Sequence, residues 1–238
     1  MNPFPADSVV GQYFPVFLEG AVTTLAIVLA AIVCATALGY FIALMRLSRF
    51  RLLSAVAAVY VWFFRGLPLM LSLFFFYYTQ PFGWTFDAFT AGGLIAMSLN
   101  SAAFFSEIIR AGIQSVARGH LEAAESIGMN PLQKFFRVTA PEGIRLMTPP
   151  YINNCIIMLK ESAQVSVITV PDLMLQGQKA YNSTYNVVET LGVVAVMYLA
   201  MTSLLMGLQL LIERKTGRKV ARNTPTSKPA TKELEGIA

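Results

Sequence analysis

The chain has 238 residues, of which 55% are hydrophobic and only 13% are charged. Soluble domains carry about 25% charged residues, so this composition excludes an ordinary soluble domain and indicates that lipid is the main solvent. The formal net charge is +5. The basic residues cluster between apolar segments instead of covering a polar surface, which favours a role in membrane topology over nucleic-acid binding.

Five apolar segments follow one another along the chain. A hydrocarbon core of about 30 Å requires about 20 residues of helix, and each segment is near that length or longer. The predicted spans are residues 20–45, 52–79, 88–106, 146–168 and 190–212. Within the second span, Arg65 is followed by Gly66 and Pro68, which predicts a weakened or kinked helix.

The segments between the spans are polar or rich in turn-forming residues. Residues 1–17 contain three prolines and predict an irregular, interfacial or periplasmic lead-in. A turn containing Trp84 is predicted at 81–84, where an aromatic residue suits the membrane interface. A polar loop is predicted at 169–189, and a basic, disordered cytoplasmic tail at 214–238.

The distribution of Lys and Arg predicts the orientation of the spans. Fifteen of these residues follow the first, third and fifth spans, whereas only Lys179 lies on the opposite side. Basic residues accumulate on the cytoplasmic side, which predicts an N-terminus outside and a C-terminus in the cytoplasm. The segments are apolar on all sides and do not alternate, which excludes a soluble amphipathic bundle and a β-barrel. The predicted fold is an all-α integral membrane protein with five transmembrane helices.

The sequence offers no arrangement typical of catalysis. Cys34 and Cys155 lie in apolar segments without partners at motif spacing, so we interpret both as small packed residues. The sequence contains no Gly-x-x-x-x-Gly-Lys-Ser/Thr phosphate-binding string, metal-ligand set or nucleophile–base pair. The chain is therefore not expected to be an enzyme or to hold a metal or cofactor of its own.

Residues 119–128 form a polar segment, Gly-His-Leu-Glu-Ala-Ala-Glu-Ser-Ile-Gly, between the third and fourth spans. Its Leu, Ala and Glu content predicts a helix over about 121–127 that ends at Gly128. Asn130 is expected to cap a second helix that begins with a proline and continues through about residue 138. The topology places both helices in the cytoplasm.

The acidic and small side chains of this segment predict a docking surface. Glu122 and Glu125 lie three residues apart and decorate one helix face, while Ala123 and Ala124 keep the helix thin enough to enter a groove. The residues alone leave open a simpler interpretation, in which the segment is an amphipathic connector on the membrane surface.

Several motifs in order resemble the permease subunits of bacterial ATP-binding-cassette (ABC) importers, in their polar amino-acid branch. Residues 122–124 (Glu-Ala-Ala) followed by Gly128 resemble the EAA loop of that family. Residues 64–69 (Phe-Arg-Gly-Leu-Pro-Leu) resemble its second-span motif, and residues 18–25 resemble its entry into the first span. The resemblance covers about residues 16–213.

The resemblance implies a transmembrane permease domain over residues 18–213, with coupling helices at about 119–138. In that family the coupling helices insert into a cleft on a cytoplasmic ATPase. The residues that this assigns to ATPase coupling are Gly119, Glu122, Ala123, Ala124, Glu125 and Gly128. Three departures from the family pattern are His120 for Gln, Leu67 for Thr, and Ala-Gln at 163–164 for Ser-Leu.

Polar and ionisable residues within the predicted spans are candidates for a substrate pathway, because such groups are costly in lipid and usually face a cavity or a partner. A zwitterion needs a cation for its carboxylate and an anion or carbonyls for its ammonium group. The candidates for this pathway are Ser98, Asn100, Phe104, Lys160, Glu161 and Gln164. The alternatives are interhelical hydrogen bonding and, for Phe104, simple packing.

A second group of residues is expected to have structural or gating roles. Arg65, Gly66 and Pro68 belong to the predicted kink. Glu107 and Arg110 are three residues apart near the cytoplasmic end of the third span, which predicts a local ion pair.

The function that the resemblance implies is alternating-access import of a polar amino acid across the bacterial inner membrane. It implies as partners an ATPase that binds ATP and Mg, a second permease copy or paralogue, and an extracytoplasmic binding protein. Two other functions remain open on the residues: a gradient-driven transporter or channel with a relay through Glu107, Glu161 and Lys160, and a non-transporting membrane anchor or sensor.

Overall fold

The computed structural model describes residues 9–81 and 85–215. Residues 1–8 of the predicted lead-in, 82–84 of the predicted turn and 216–238 of the predicted tail lie outside the described residues. Within the described ranges every regular element is helical. The α-helices are α1 (Val9–Leu47), α2 (Arg51–Gly66), α3 (Leu69–Thr79), α4 (Ser98–Gln114), α5 (Arg118–Ser126), α6 (Pro131–Lys134), α7 (Ala140–Glu161), α8 (Leu173–Thr184) and α9 (Val187–Lys215).

Three segments of other helical types join these elements. A π-helix, Thr90–Met97, runs directly into α4, and a π-helical turn, Phe135–Thr139, joins α6 to α7. A 3₁₀ helix, Ser162–Ile168, continues from α7. The chain is therefore helical without interruption from α6 to residue 168, although the helix type changes three times.

The prediction of an irregular lead-in is wrong for residues 9–17, which form the first turns of α1. Pro15 lies inside this helix and removes a backbone donor. Tertiary packing compensates, because Phe17 is fully buried against α8 and α9 in a cluster that includes Leu173 and Val194. The Tyr13 hydroxyl also lies 2.9 Å from the hydroxyl of Ser183 on α8.

Helix length and composition do not confirm the predicted count of five spans. Three described helical segments are long and apolar enough to cross a membrane: Gly11–Leu47, Thr90–Gln114 and Val187–Ile212. The bent pair α2 and α3 adds a fourth when it is counted as one span. The segment predicted as the fourth span, residues 146–168, is not among them. Its helix, α7, carries charges at both ends and two adjacent prolines.

The kink predicted in the second span is confirmed, and it is a complete break. The axes of α2 and α3 differ by 101°, and Leu67 at the break has an extended backbone with φ −94° and ψ 127°. The steric clash between a proline ring and the preceding residue explains this conformation, because Pro68 follows directly.

The break leaves backbone carbonyls without their partners within the helix, and Asn100 on α4 donates hydrogen bonds to them. Its Nδ2 donates to the carbonyl oxygens of Phe64 at 3.0 Å and Leu67 at 3.3 Å. The Tyr60 hydroxyl of α2 donates to the carbonyl of Leu99 at 2.7 Å. In hydrocarbon, unpaired carbonyls cost several kcal/mol each, so these bonds anchor the end of α2 to the start of α4.

Small residues allow α4 to pack closely on its neighbours. A Cβ added to Gly143 of α7 would lie 3.0 Å from the carbonyl oxygen of Gly112 on α4. Farther along the same two helices, the rings of Phe105 and Tyr151 stack with centroids 4.5 Å apart. Such small-residue contacts are typical of helix pairs in membranes, and they make α4 the centre of the bundle between α1 and α7.

The prediction of a loop at 169–189 is wrong for residues 173–184, which form α8. Asp172 caps this helix, since its Oδ1 accepts the N–H of Leu175 at 2.9 Å. The polar composition that suggested a loop belongs to a helix whose other side is buried: Leu173 and Ala180 pack between α1 and α9.

We predict that Asn100→Ala destabilises the protein by about 1–3 kcal/mol, the typical cost of leaving buried polar groups unpaired. The measurement is the midpoint of thermal unfolding of the purified protein in detergent. Asn153→Ala, an exposed change on α7, is the matched control. Equal midpoints for the two variants would contradict the assigned role of Asn100.

Candidate coupling surface and membrane cavity

Local hydrogen bonds determine the turn between α5 and α6, which together form a helical hairpin. Gly128 adopts φ +76° directly after α5, a conformation that glycine adopts without strain. The N–H groups of Gly128 and Met129 donate to the carbonyls of Glu125 and Ala124 at 2.9 and 3.1 Å, which completes a Schellman motif. The predicted helix stop at Gly128 is confirmed.

The start of α6 is also confirmed. Asn130 accepts the N–H of Gln133 through Oδ1 at 2.8 Å, and the Gln133 side chain accepts the N–H of Asn130 at 3.1 Å. This reciprocal pair is a capping box, and Pro131 occupies the first turn. Local hydrogen bonds therefore fix the angle between α5 and α6.

The second helix does not end near residue 138 as predicted. It continues through the π-helical turn into α7. Pro141 cannot donate to the carbonyl four residues earlier, and the wider turn directly before it relieves the crowding that its ring produces. The hairpin is consequently continuous with α7.

An ion pair and a side-chain hydrogen bond brace the hairpin. Lys134 pairs with Glu125 across the turn, and His120 Nδ1 lies 2.7 Å from Glu142 Oε2 on α7. The second pair involves the histidine that departs from the family pattern. It joins α5 directly to the first turn of α7.

The residues predicted for coupling divide into two groups. Ala124 is buried against the rest of the hairpin, and Glu125 is paired with Lys134. The others, Gly119, Glu122, Ala123 and Gly128, are exposed. Among the described residues, the carboxylate of Glu122 forms no ion pair, so it is available to a partner.

Three apolar side chains on this hairpin are exposed and were missed by sequence reasoning: Ile127, Leu132 and Phe136. Each occurs in a segment that is otherwise polar, which is the signal that could have identified them. Together with Glu122, they give the hairpin a mixed apolar and acidic surface.

A cavity of about 530 Å³ lies where α2, α4 and α7 meet. The Arg65 guanidinium lies 5.4 Å from the centre of the Phe104 ring, a cation–π arrangement. On the same wall, Glu107 accepts from Arg110 at 2.7 Å and from Arg46 of α1 at 3.4 Å. The predicted ion pair of Glu107 and Arg110 is confirmed, and Arg46 extends it.

The residues predicted for a substrate pathway do not form one site in this structure. Phe104 lines the 530 Å³ cavity, whereas Lys160 lines a separate cavity of about 270 Å³ with Tyr198. Ser98 lies in a shallow groove between α1 and α4 that also contains Cys34. Asn100 caps the break of α2.

The remaining candidates and the two cysteines also have defined positions. Glu161 and Gln164 are half-buried where α7 becomes a 3₁₀ helix. Cys155 is buried, as its interpretation as a packed residue requires. That interpretation is wrong for Cys34, which is exposed, because α1 turns this side outward.

A buried polar junction at the opposite end of the bundle was not predicted. Asp172 and Thr24 are both fully buried. The Thr24 hydroxyl accepts the N–H of Leu173 at 3.1 Å, and the Tyr198 hydroxyl donates to Asp172 Oδ2 at 3.3 Å. These bonds join α1, α8 and α9. The sequence signal for this junction was Asp172 itself, because an acidic residue directly before a helical segment is typical of a helix cap.

Burial raises the pKa of the Asp172 carboxyl to about 6, although hydrogen bonds from the first turn of α8 and from Tyr198 oppose this rise. Because the pKa is higher in the folded than in the unfolded protein, the folded state binds the proton more tightly. The contribution of Asp172 to stability is therefore largest below pH 4 and is lost as pH rises through about 6.

We predict that Asp172→Asn removes this part of the pH dependence while it retains the helix cap, since the Asn side-chain oxygen also accepts from Leu175. The measurement is the thermal midpoint relative to the parent protein between pH 4 and 7. The advantage of the variant should grow with pH across this range. A constant difference would show that Asp172 does not titrate there.

The comparisons with known proteins agree with this architecture. Residues 35–218 match the family described as binding-protein-dependent transport system inner membrane component. The chain therefore belongs to this family and is an integral membrane transport component.

Individual relatives and a solved structure make the similarity more specific. The chain is 37% identical to the arginine transport system permease protein ArtQ of Bacillus subtilis over 204 residues, which cover 84% of this chain and 92% of ArtQ. It is 34% identical to the L-cystine transport system permease protein TcyB of the same organism, over 92% of this chain and 94% of TcyB. A crystal structure described as an amino acid ABC transporter with histidines superposes with TM-score 0.80 at 39% identity, and covers 86% of this chain and 95% of that one.

Proposed function

We propose that this protein is the transmembrane permease subunit of an ABC importer that carries a polar amino acid or a close derivative across the inner membrane. The observation that carries the proposal is the capped α5–α6 hairpin, which is exposed at its tip and continuous with α7. The named substrates of its relatives, arginine and L-cystine, support an amino acid as the transported class.

The topology that fits this function has the N-terminus outside and α5 and α6 in the cytoplasm. Five crossings result when the broken pair α2–α3 counts as one span and α7 with its 3₁₀ extension counts as another. The Lys and Arg residues of the α1–α2 connection and of the segment from α5 to the start of α7 support this orientation.

The partner of the hairpin is a separate cytoplasmic ATPase, which binds ATP and Mg. Exposed Ile127, Leu132 and Phe136 supply apolar contact area, and Glu122 supplies a charge. ATPase closure moves the hairpin, and the His120–Glu142 pair and the continuous helix carry that motion into α7. An extracytoplasmic binding protein delivers the substrate on the other side.

The substrate pathway includes the cavity that contains Arg65, Phe104 and the Glu107 ion pairs. One chain does not enclose this cavity, since Arg65 is exposed, and a charge in the membrane needs a partner or a water-filled space. A second permease copy or paralogue completes the enclosure.

A gradient-driven transporter was the alternative, with a relay through Glu107, Glu161 and Lys160. The family membership and the relatives do not favour it. The Glu107 carboxylate is also paired with the guanidinium groups of Arg110 and Arg46, so it is already engaged and does not favour a relay.

The direct test is uptake of radiolabelled amino acids by vesicles that contain the complete complex, with ATP inside. A catalytically inactive ATPase partner should abolish uptake. Uptake that persists with the inactive ATPase and follows an ion gradient would overturn the proposal, and unchanged uptake by cells that lack this chain would exclude a transport role.

We predict that Glu122→Lys weakens binding of the ATPase by about tenfold or more, which corresponds to about 1.4 kcal/mol. The reversed charge faces the partner, whereas the hairpin turns remain intact. Co-purification from membranes measures the effect. Glu19→Lys, the same change at an exposed site on α1, is the control, and equal recovery of the ATPase with both variants would refute the assignment.

We predict that Arg65→Ala lowers uptake by about tenfold, while the complex still assembles. Loss of the guanidinium removes both a charge in the cavity and its contact with Phe104. Arg65→Lys should restore uptake in part, since it keeps the charge and loses the planar stacking. Arg49→Ala, at an exposed position in the α1–α2 connection, controls for lost basic charge. Normal uptake by Arg65→Ala would remove the cavity from the pathway.

A further inference from the structure

The contact that joins the α5–α6 hairpin to α7 contains the one histidine of the chain. His120 Nδ1 lies 2.7 Å from Glu142 Oε2, a contact between residues 22 positions apart. Among the described residues no other hydrogen bond joins α5 to α7. The remaining connection is the helix that runs through α6 and the π-helical turn, so the contact closes the hairpin against α7.

The chemistry of the two groups determines where a proton can bind. A carboxylate only accepts hydrogen bonds, so Nδ1 of His120 carries a hydrogen and donates it to Glu142. The second ring nitrogen, Nε2, is then the atom that gains a proton when the ring becomes charged. The His120 side chain is 62% exposed, so solvent supplies that proton. The contact itself keeps its geometry while its charge changes.

The charged groups around the imidazole ring have opposing effects on its protonation. Arg137 and Arg145 line the same cavity of about 600 Å³ and repel a charged ring, whereas Glu142 attracts it. Glu142 is in direct contact with the ring and, within the described ranges, forms no ion pair with either arginine. On α5 itself Arg118 and Glu122 are each two residues away, a spacing at which side chains do not face each other.

We infer that the His120–Glu142 pair makes the connection between the hairpin and α7 depend on the pH on the ATPase side of the membrane, with the tighter connection at lower pH. The inference rests on the proposed function, which gives the hairpin its coupling role. Histidine usually changes charge between pH 5 and 8. A charged ring donates a charge-assisted bond, about twice as strong as the bond from a neutral ring. The glutamine of the family pattern offers a hydrogen bond without this change of charge.

Transport per ATP hydrolysed tests the inference, in vesicles that contain the complete complex and are supplied with a mixture of radiolabelled amino acids. The pH on the ATPase side is varied from 6 to 8. The opposite side is held constant, because Asp172 at that end has a pKa of about 6. The ATPase has its own pH response, so each value for the parent protein is divided by the value for His120→Gln at the same pH. This quotient should fall about threefold from pH 6 to 8, within the range that exposed ion pairs contribute.

Two further variants separate the contact from a general effect of histidine. Glu142→Gln keeps an acceptor but removes the negative charge, so its quotient should stay constant. The double variant His120→Gln with Arg118→His keeps a histidine on α5 but moves it to a position that does not face Glu142, and its quotient should also stay constant. If His120→Gln fails to assemble with the ATPase, Glu142→Gln replaces it as the reference.

A measurement without transport uses the thermal midpoint of the purified complex in detergent. His120→Gln, Glu142→Gln and their combination form a double-mutant cycle, which isolates the interaction between the two side chains. The interaction should be greater at pH 6 than at pH 8. An equal interaction at both pH values would show that the charge of the ring does not affect the contact.

The possible results distinguish this inference from the proposed function. A constant quotient for the parent protein would overturn the inference, while ATP-driven uptake would still support the transport function. The same threefold fall in the double variant would also overturn it, because any histidine on α5 would then suffice. Absence of ATP-driven uptake by the parent protein at every pH would overturn the proposed function and the inference with it.

Discussion

The pairing of backbone groups inside the membrane is the constraint on which this structure depends. A helix satisfies its own carbonyls, but the chain breaks at Leu67 and Pro68, within an apolar segment. Asn100 donates to two carbonyls at that break. Because Asn100 lies on α4, the break can exist only where α2 and α4 pack together. The position of α3, and with it the wall beside Arg65, follows from this arrangement.

The same helix, α4, connects the interior of the bundle with the α5–α6 hairpin. It packs against α1 and α7 through small residues, and it leads into α5 after a short turn. The hairpin returns through α6 into α7 without a flexible joint. Two connections therefore link the tip to α7, the continuous helix and the His120–Glu142 pair. This continuity suits the coupling role that we propose for the hairpin.

The charges in the bundle are separated according to their surroundings. Glu107 lies among two arginines at the rim of the cavity, where solvent reaches it. Asp172 is fully buried at the other end, where it caps α8 and receives a bond from Tyr198. The outward side of α1 between Ile32 and Phe41 carries no charge. The three locations therefore differ in polarity. Solvent reaches the rim at Glu107, the junction at Asp172 is dry, and the outward side of α1 is apolar.

The sequence by itself determined the helical class, the break near Pro68, the stop at Gly128 and the cap at Asn130. These features depend on local interactions: hydropathy over one span, proline sterics, and hydrogen bonds between neighbours in the chain. Only the tertiary structure decided the 101° angle, the helix at residues 9–17, and α8 within a polar segment. It also decided that Asn100 caps a break while Phe104 and Lys160 line separate cavities. These outcomes depend on contacts between distant residues, whose energies exceed the local preferences and leave no periodic pattern in the chain.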